Sequence, residues 1–370
     1  MRILSIFGTR PEAIKMAPVV KDLEKHPDAF DSIVCVTAQH REMLDQVLSL
    51  FEIEPQIDLN LMEPNQTLAS LTAKSLTALT DVVIDVRPDV VLLQGDTTTA
   101  MLASLASFYQ KVPVGHVEAG LRTYDRYSPF PEEINRRLIS VVATYNFAPT
   151  QTAVDALLAE GFSKESIFLT GNTVIDALLV TVKKDCELDM DFLNPDKKLI
   201  LVTAHRRENF GRPFQNVCKA LKEIAIRNSQ VQIVYPVHLN PNVQDPAYRI
   251  LSNQERVHLI EPLEYKKIVH LMKRSYIVLT DSGGIQEEAP ALGKPVLVLR
   301  NKTERPEAVE SGTAKLVGTD AKAIVSETER LLYDKDEYER MSQAVSPYGD
   351  GHAAEKIVKV LLNNGKNRMS

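Results

Sequence analysis

Two carboxylates stand directly after predicted buried strands in the first half of the chain. Asp96 follows the apolar run Val90–Leu93, and Glu118 follows Val112–Val117. Parallel sheets bind ligands at the carboxyl ends of their strands, so both side chains could move protons on a bound molecule. Asp96 precedes three threonines and could instead only cap a helix. Glu118 has no capping role to fill and lies beside a glycine loop, which favours a functional role.

A third acidic position follows Pro131, a residue that suits the start of a helix. Glu132 and Glu133 would match the positive end of the helix dipole, and Arg136 lies four residues after Glu132, at the spacing of an ion pair. A carboxylate in a cleft can instead hold a raised pKa and act as acid or base. The residue pattern leaves both interpretations open.

A turn with two cations follows the first strand, in the segment FGTRPEAIKMAP. Gly8 permits a tight turn, Pro11 suits the first helical position, and Arg10 and Lys15 flank the helix start. A positive helix terminus with two cations is an anion site, and phosphate is the natural guest. The alternative is that both cations are solvated charges at a helix end.

The second half of the chain places histidines after two predicted strands. His205 follows Leu199–Thr203, and His238 follows Val231–Pro236. A histidine at the end of a strand can donate to a phosphate or stabilise a leaving group. A lone histidine is usually structural, but two at equivalent positions favour a functional role for His205.

A paired-glycine turn is the strongest local motif. An apolar strand runs into Ser282, Gly283 and Gly284, which open a helix whose backbone N–H groups can converge on an anion. Glu288, later in that helix, could accept from the two hydroxyls of a ribose, and Arg305 is a further candidate anion contact. No GxGxxG follows a strand and no GxxxxGK[ST] occurs, so the sequence supports neither a dinucleotide site nor a Walker-type nucleotide site. The pattern favours a nucleoside diphosphate.

Short apolar runs alternate with helical patterns along the whole chain, which predicts α/β domains with parallel, doubly wound sheets. The predicted strands are Ile3–Phe7, Ser32–Thr37, Val90–Leu93, Val112–Val117, Tyr145–Pro149, Ile167–Thr170, Leu199–Thr203, Val231–Pro236, Val257–Ile260, Tyr276–Thr280, Pro295–Leu299 and Ala314–Val317. Helical periodicity is clear at Pro11–Lys25, Arg41–Phe51, Thr67–Val86, Thr173–Val182 and Ala353–Leu362.

A polar stretch divides this alternation into two series. We expect an N-terminal Rossmann-like domain (residues 1–182) with the acid and base residues, a linker (183–198), and a C-terminal Rossmann-like domain (199–370) that binds a nucleotide. The last helix could pack back on the N-terminal domain. Two such domains joined by a linker make an interdomain cleft, the arrangement of the B-type glycosyltransferase fold.

Composition and charge narrow the function classes. Lys and Arg number 43 against 49 Asp and Glu, a net charge of −6, which argues against broad nucleic-acid binding. No apolar run is long enough to span a membrane, and the N-terminal run breaks too soon for a signal peptide. Three cysteines without CxxC spacing fit a reducing compartment and indicate no zinc site. We therefore expect a cytoplasmic protein.

These residues, in this order, closely resemble the non-hydrolysing UDP-N-acetylglucosamine 2-epimerases of bacteria. The matching segments are FGTRPEAIKMAP, TAQHREMLDQVL, GDTTTA, VGHVEAGLRT, PFPEEINR, GNTVIDAL, TAHRREN, YPVH, TDSGGIQEEAP, ERPEA and PYGDG. The resemblance implies interconversion of UDP-N-acetylglucosamine (UDP-GlcNAc) and UDP-N-acetylmannosamine (UDP-ManNAc), for cell-surface polysaccharide, by a homodimer that uses no cofactor and no metal.

The resemblance also implies a mechanism and a set of site residues. In that family the C2 proton leaves and UDP departs by C–O cleavage, giving a bound 2-acetamidoglucal. UDP then re-adds, with protonation at the opposite face of C2. By carry-over, Asp96, Glu118 and Glu132 transfer the protons, in an order left open, and His205 stabilises the departing UDP. The carried-over substrate contacts are Arg10, Lys15, Arg136, Ser282, Gly283, Gly284, Glu288 and Arg305.

Some Gram-positive relatives bind a second UDP-GlcNAc as an activator beside the active site. The residues of this chain that fit that pattern are Gln39, His40, Arg206 and His238. Glu42 stands where a glutamine is expected, and Asn65 where an arginine is expected. Losing a cation and gaining an anion weakens binding to a diphosphate, so we expect a weaker second site here.

Three other functions fit a similar fold. A hydrolysing epimerase would release free ManNAc and UDP, and a glycosyltransferase would pass the sugar to an acceptor. A nucleotide-sugar sensor would bind without turnover. The acid set Asp96, Glu118 and Glu132 argues against the sensor, and the match along the whole chain argues against the transferase.

Overall fold

The computed structural model of the chain describes residues 1–37, 41–61 and 67–369. Its contacts divide the chain into two units: unit 1 comprises Met1–Leu179 and Tyr348–Ser370, and unit 2 comprises Val180–Pro347. The segment after residue 347, which the sequence analysis placed in the second domain, thus clusters with unit 1, the alternative that it allowed for the last helix. The predicted linker, residues 183–198, clusters with unit 2.

Unit 1 is built on a seven-stranded parallel sheet. Its strands are β1 (Arg2–Phe7), β2 (Asp31–Val36), β3 (Ile57–Asp58), β4 (Val90–Gln94), β5 (Val114–Val117), β6 (Tyr145–Ala148) and β7 (Ile167–Leu169). Their order is β3-β2-β1-β4-β5-β6-β7, and every neighbouring pair is parallel. The order reverses between β1 and β4, where open sheets of this kind form their ligand sites.

The helices of unit 1 alternate with its strands, apart from the last, which comes from the C-terminal segment. They are α1 (Arg10–Glu24), α2 (Arg41–Phe51), α3 (Leu68–Val86), α4 (Thr98–Tyr109), α5 (Glu132–Val142), α6 (Gln151–Ala159), α7 (Thr173–Thr181) and α15 (Ala353–Met369). Although α7 ends two residues past the boundary between the units, most of it belongs to unit 1. Leu93 of β4 packs with Ala103 of α4 and Ile139 of α5 in one apolar core.

Unit 2 repeats the same plan with six parallel strands. They are β8 (Lys198–Thr203), β9 (Val231–Pro236), β10 (Val257–Ile260), β11 (Ile277–Thr280), β12 (Val296–Val298) and β13 (Ala314–Leu316), in the order β10-β9-β8-β11-β12-β13. The helices are α8 (Arg212–Arg227), α9 (Pro241–Leu251), α10 (Tyr265–Arg274), α11 (Gly283–Ala291), α12 (Pro306–Glu310), α13 (Ala321–Tyr333) and α14 (Lys335–Ser342). The buried side chains of Phe214 and Tyr235 lie in its core.

The predicted linker is part of the packing of unit 2. Backbone N–H of Asn194 donates to Gln232 Oε1 at 3.1 Å, and Gln232 Nε2 donates back to the Asn194 carbonyl at 2.9 Å. Phe192 stacks on His258 with ring centroids 4.2 Å apart. These contacts hold the stretch in place without a helix or a strand, which is consistent with its lack of sequence periodicity.

The α/β fold with two doubly wound sheets is confirmed, and all predicted strands are present with ends displaced by at most two residues. The strand predicted from Val112 begins at Val114, because Pro113 has no N–H to give to a ladder. The short strand β3 was not predicted, since two residues carry no periodic signal. In the described part of the chain, no helix is long and apolar enough to cross a membrane.

Candidate functional site

Glu118 is held by its backbone conformation and by three side chains of unit 1. It follows β5 with a φ of +65°, a left-handed conformation that is rare for a residue with a side chain, and only 8% of the residue is exposed. Its Oε1 accepts from Lys15 Nζ at 2.5 Å and from Asn172 Nδ2 at 3.0 Å, and its Oε2 accepts from Gln94 Nε2. Such backbone strain at a held carboxylate is typical of a functional position.

The donors around Glu118 come from three separate elements. Lys15 belongs to α1, Gln94 ends β4, and Asn172 lies just before α7. Lys15 was predicted to contact phosphate, and the structure places its ammonium on this carboxylate, with 14% of the side chain exposed. Gln94 and Asn172 were missed as site residues, although both lie inside or beside segments that carry the family resemblance.

Asp96 is held by a guanidinium group and does not cap a helix. The N-cap of α4 is Thr97, whose side chain accepts from the N–H of Ala100 at 3.0 Å, so the capping alternative for Asp96 is wrong. Arg136 of α5 donates to Asp96 Oδ2 through Nε at 3.1 Å and also through Nη2. Asn135 Nδ2 donates to the Asp96 carbonyl at 2.9 Å. Asp96 is therefore fixed at its carboxylate and its backbone.

The two adjacent glutamates of α5 have different surroundings. Glu133 is fully buried and accepts from the backbone N–H groups of Thr123 and Tyr124, each at 3.1 Å. Arg136 reaches Glu133 through Nη1 at 3.3 Å, so the alternative of a Glu132–Arg136 ion pair is wrong: the arginine faces Asp96 and Glu133 instead. Glu132, the first residue of α5, is half-buried.

The turn between β1 and α1 is tied to the turn after β4. Thr9 and Glu12 form a capping box, with Glu12 Oε2 accepting from the N–H groups of Gly8 and Thr9 at 3.0 and 2.7 Å. Glu12 Oε1 accepts from Thr97 Oγ1 at 2.6 Å, beside Asp96. Burial raises the pKa of Glu12. Arg10 is the first residue of α1, at the helix end where an anion would be stabilised.

Gly8 is required by the closeness of its neighbours. A Cβ at this position would lie 2.0 Å from Thr37 Oγ1, far closer than a non-bonded contact allows. The turn predicted at Gly8 is therefore present, and its reason is close approach of the chain after β2.

In unit 2, Asp281 connects the loops that follow β8 and β11. It is fully buried, and it accepts from the backbone N–H of His205 at 3.0 and 2.9 Å and from that of Arg206 at 2.8 Å. Asn209 Nδ2 adds a bond at 3.2 Å. These charge-assisted bonds fix the loop that carries His205, a role of Asp281 that the sequence analysis did not identify.

His205 and His238, which follow the neighbouring strands β8 and β9, come together. Their rings are stacked, with centroids 5.4 Å apart and planes inclined by 12°. His205 Nδ1 lies 3.7 Å from Asp281 Oδ1, and 40% of the His205 side chain is exposed, so the ring can contact a ligand.

The paired glycines begin α11 beside two guanidinium groups. A Cβ at Gly283 would meet Arg206 Nη2 at 3.6 Å and Arg305 Cζ at 4.0 Å, and one at Gly284 would meet only Glu288 Oε2 at 3.7 Å. The guanidinium groups of Arg206 and Arg305 therefore lie close to the backbone that begins α11. The two guanidinium groups and the N–H groups in the first turn of α11 suit a phosphate.

The acids of α11 each have a partner. Tyr265 Oη donates to Glu288 Oε1 at 2.8 Å, and Arg305 donates through Nε to Glu287 Oε1. Glu288 is mostly buried and its carboxylate is thereby oriented, as a residue that accepts from ribose hydroxyls needs to be. The sequence pointed to Glu288 and Arg305 but not to Tyr265 or Glu287.

Part of the predicted second site lies outside the described residues. Gln39, His40 and Asn65 belong to that part, whereas Arg206 and His238 lie in unit 2 as described above. Among the described residues, no group of three or more His, Cys, Asp and Glu side chains is placed to hold a metal ion.

Comparisons with known proteins agree with the resemblance. The sequence profile of the family UDP-N-acetylglucosamine 2-epimerase matches residues 21–362. The UDP-N-acetylglucosamine 2-epimerase of Salmonella typhimurium is 57% identical over 98% of both chains, and that of Escherichia coli K12 is 56% identical over 98% of this chain and 99% of its own. The crystal structure of the Neisseria meningitidis UDP-GlcNAc 2-epimerase bound to UDP-GlcNAc superimposes with a TM-score of 0.91, at 53% identity, covering 98% of this chain and 100% of that one.

Proposed function

The chain belongs to the UDP-N-acetylglucosamine 2-epimerase family, and we propose that it interconverts UDP-GlcNAc and UDP-ManNAc by eliminating and re-adding UDP. The enzyme is an isomerase, and its relatives of this length carry the same activity in their names. The product would supply ManNAc units for a cell-surface polysaccharide.

The observation that carries the proposal is the carboxylate of Glu118, which accepts hydrogen bonds from three side chains. A proton acceptor at C2 must be held in a fixed orientation, and Lys15, Gln94 and Asn172 donate to the two carboxylate oxygens of Glu118. Asp96, on the neighbouring strand end, is held by Arg136 in the same way. Opposite-face protonation needs at least two acid or base groups, and unit 1 supplies this pair.

Glu132 completes the acid set of the proposal. It lies one residue before Glu133, whose buried bonds to the loop at residues 123–124 fix the start of α5. In our proposal, one of Asp96, Glu118 and Glu132 removes the C2 proton and another returns one to the opposite face. Arg136 acts by holding Asp96, and Lys15 by holding Glu118, rather than by contacting phosphate alone.

Unit 2 supplies the UDP contacts in this proposal. Ser282, Gly283 and Gly284 would hold a phosphate, to which the N–H groups of the two glycines would donate, with Arg305 beside them. Glu288 would accept from the ribose hydroxyls. As the C–O bond breaks, negative charge grows on the departing diphosphate, and His205 is placed on a fixed loop to stabilise it.

A homodimer and a cytoplasmic location also belong to the proposal. The homodimer rests on the family resemblance. The location is supported by cysteine chemistry, because Cys35, Cys186 and Cys218 are all free thiols.

Proton NMR of the protein with UDP-GlcNAc in D₂O tests the reaction directly. We expect UDP-ManNAc to accumulate and deuterium to enter C2 of both sugars. Free ManNAc and UDP would identify the hydrolysing reaction instead. An unchanged spectrum with bound UDP would contradict epimerisation and favour a sensor or a transferase that lacks its acceptor.

Two variants test the proton-transfer residues. Asp96→Asn and Glu118→Gln should each lose epimerisation, by about 100-fold or more, because general acid–base catalysis contributes that much, while UDP affinity stays. The matched control is Asp155→Asn on α6, an exposed acid that should leave turnover unchanged. Unchanged turnover in either variant would remove that residue from the mechanism.

Activation by a second UDP-GlcNAc is tested by the rate law. Because Glu42 and Asn65 replace a glutamine and an arginine, we expect hyperbolic dependence on UDP-GlcNAc and turnover of UDP-ManNAc by itself. A sigmoidal rate, with UDP-ManNAc inert alone, would contradict this.

A further inference from the structure

His116 is a fully buried histidine that makes one hydrogen bond, to the loop of Asp96. It lies on β5, and its Nε2 is 2.7 Å from the carbonyl oxygen of Gly95. A carbonyl can only accept, so the ring must carry its proton on Nε2 and donate it. The imidazole therefore ties β5, which leads to Glu118, to the peptide group immediately before Asp96.

The backbone around Asp96 is held at successive points. The N–H of Gly95 donates to the Val117 carbonyl at 3.0 Å, and Asn135 Nδ2 takes the Asp96 carbonyl at 2.9 Å. Gly95 is buried and has a φ of +74°, so its carbonyl cannot turn to water for a partner. His116 donates to this carbonyl. Without the ring, the peptide at residues 95–96 would lose the one described hydrogen bond that it receives from a side chain of β5.

The ring is suited to this task because it does not change charge. Burial lowers the pKa of His116 to about 4, and the positive charges of Arg122 and Arg136 act in the same direction, against the carbonyl of Gly95 and the charge of Glu118. The imidazole thus stays a neutral donor over the pH range in which carboxylates transfer protons.

Burying this polar group is otherwise unfavourable. His116 Nδ1 has no partner in the described structure, and neither amide atom of Asn146, its neighbour in register on β6, has one. A leucine would fill the same core position without that cost. A leucine could not, however, donate the hydrogen bond to the Gly95 carbonyl.

We propose that His116 is a positioning residue for proton transfer at Asp96: its neutral ring fixes the peptide between Gly95 and Asp96 relative to Glu118. The inference rests on the proposed function. A displacement of Asp96 would reduce the rate of the chemical step without changing the contacts to UDP.

The test compares two amides in place of the ring. Glutamine places its amide nitrogen near the position of Nε2 and can still donate to Gly95, whereas asparagine is too short. We expect His116→Asn to lower kcat by about 10- to 100-fold, as small misplacements of catalytic groups do, with KM and UDP affinity nearly unchanged. His116→Gln should recover most of the kcat.

A spectroscopic measurement on the unaltered protein removes the risk that a variant misfolds. With ¹⁵N-labelled histidine, His116 should show a neutral ring protonated at Nε2 from pH 8 down to about pH 5. A proton on Nδ1 would overturn the inference.

The kinetic outcomes are equally decisive. Full kcat in His116→Asn would overturn the inference, as would an equal loss of kcat and UDP affinity in both variants, which marks a purely structural role. The same assay separates the two levels: no epimerisation by the wild-type chain overturns the proposed function and this inference together, whereas an active wild type with an equally active His116→Asn overturns this inference alone.

Discussion

Lys15 and Glu118 form a partly buried salt bridge although they lie 103 positions apart in the chain. The ammonium nitrogen lies 2.5 Å from Oε1, with 14% and 5% of the two side chains exposed. A cation that the sequence predicts as a phosphate ligand thus lies on the carboxylate that we propose to transfer protons. Lys15 therefore fixes the position of the Glu118 carboxylate and places a positive charge beside it.

Replacing that cation should affect chemistry more than binding. In Lys15→Met we expect kcat to fall about tenfold or more, since Glu118 loses the cationic donor that holds its carboxylate, while UDP affinity changes about threefold or less. Steady-state kinetics and UDP titration calorimetry measure both. The control is Lys21→Met, whose surface bridge to Glu24 should matter little. A large loss of UDP affinity would instead restore the phosphate role.

Asp281 should be as important for stability as for rate. In Asp281→Asn, an NH2 group replaces one of the two accepting oxygens, so a backbone N–H of His205 or Arg206 loses its acceptor. We therefore expect a loss of about 3 kcal/mol in the free energy of unfolding. Urea denaturation measures this loss. Asp320→Asn, at the exposed N-cap of α13, is the control and should lose much less. Equal stability of the two variants would contradict the role given to Asp281.

Tyr265 should contribute to UDP affinity through Glu288. In Tyr265→Phe the carboxylate loses a donor at 2.8 Å, so its orientation toward a ribose is less fixed. We expect UDP to bind about three- to tenfold more weakly, the value of one hydrogen bond, with kcat unchanged. Tyr248→Phe, at a half-exposed tyrosine of α9, is the control for loss of a hydroxyl. Equal UDP affinity in the two variants would contradict the proposed contribution of Tyr265 and Glu288 to ribose binding.

His116 should also make the fold sensitive to acid. Its pKa is lowered to about 4 in the folded protein, so between that value and 6.5 the unfolded chain binds a proton that the folded chain does not. The stability that this gives is present above pH 6.5 and is lost as the pH falls toward 4, up to about 3 kcal/mol. Melting temperatures at pH 7 and pH 5 should differ more for the wild type than for His116→Gln. A parallel pH dependence would contradict this.

The sequence predicted the strands, and with them the loops where the site lies, because buried parallel strands are continuous apolar runs. Asp96, Glu118 and His205 follow from that placement. It could not predict Gln94 and Asn172 as donors to Glu118, because such pairs depend on strand order rather than on spacing. Nor could it show that Arg136 binds Asp96 and Glu133 instead of Glu132. That pairing depends on the placement of β4, which leads to Asp96, beside β5 in the sheet.

Unit 2 is one continuous stretch, and unit 1 is made of the two segments on either side of it. The ribosome therefore delivers all of unit 2 before the residues that complete unit 1. Until then Asp176 lacks the N–H groups of Ala353 and Ala354, and the N–H of Asn172 lacks the carbonyl of Tyr348. Since domains generally fold as units, unit 2 can acquire its structure first, and the half that carries the acids matures last.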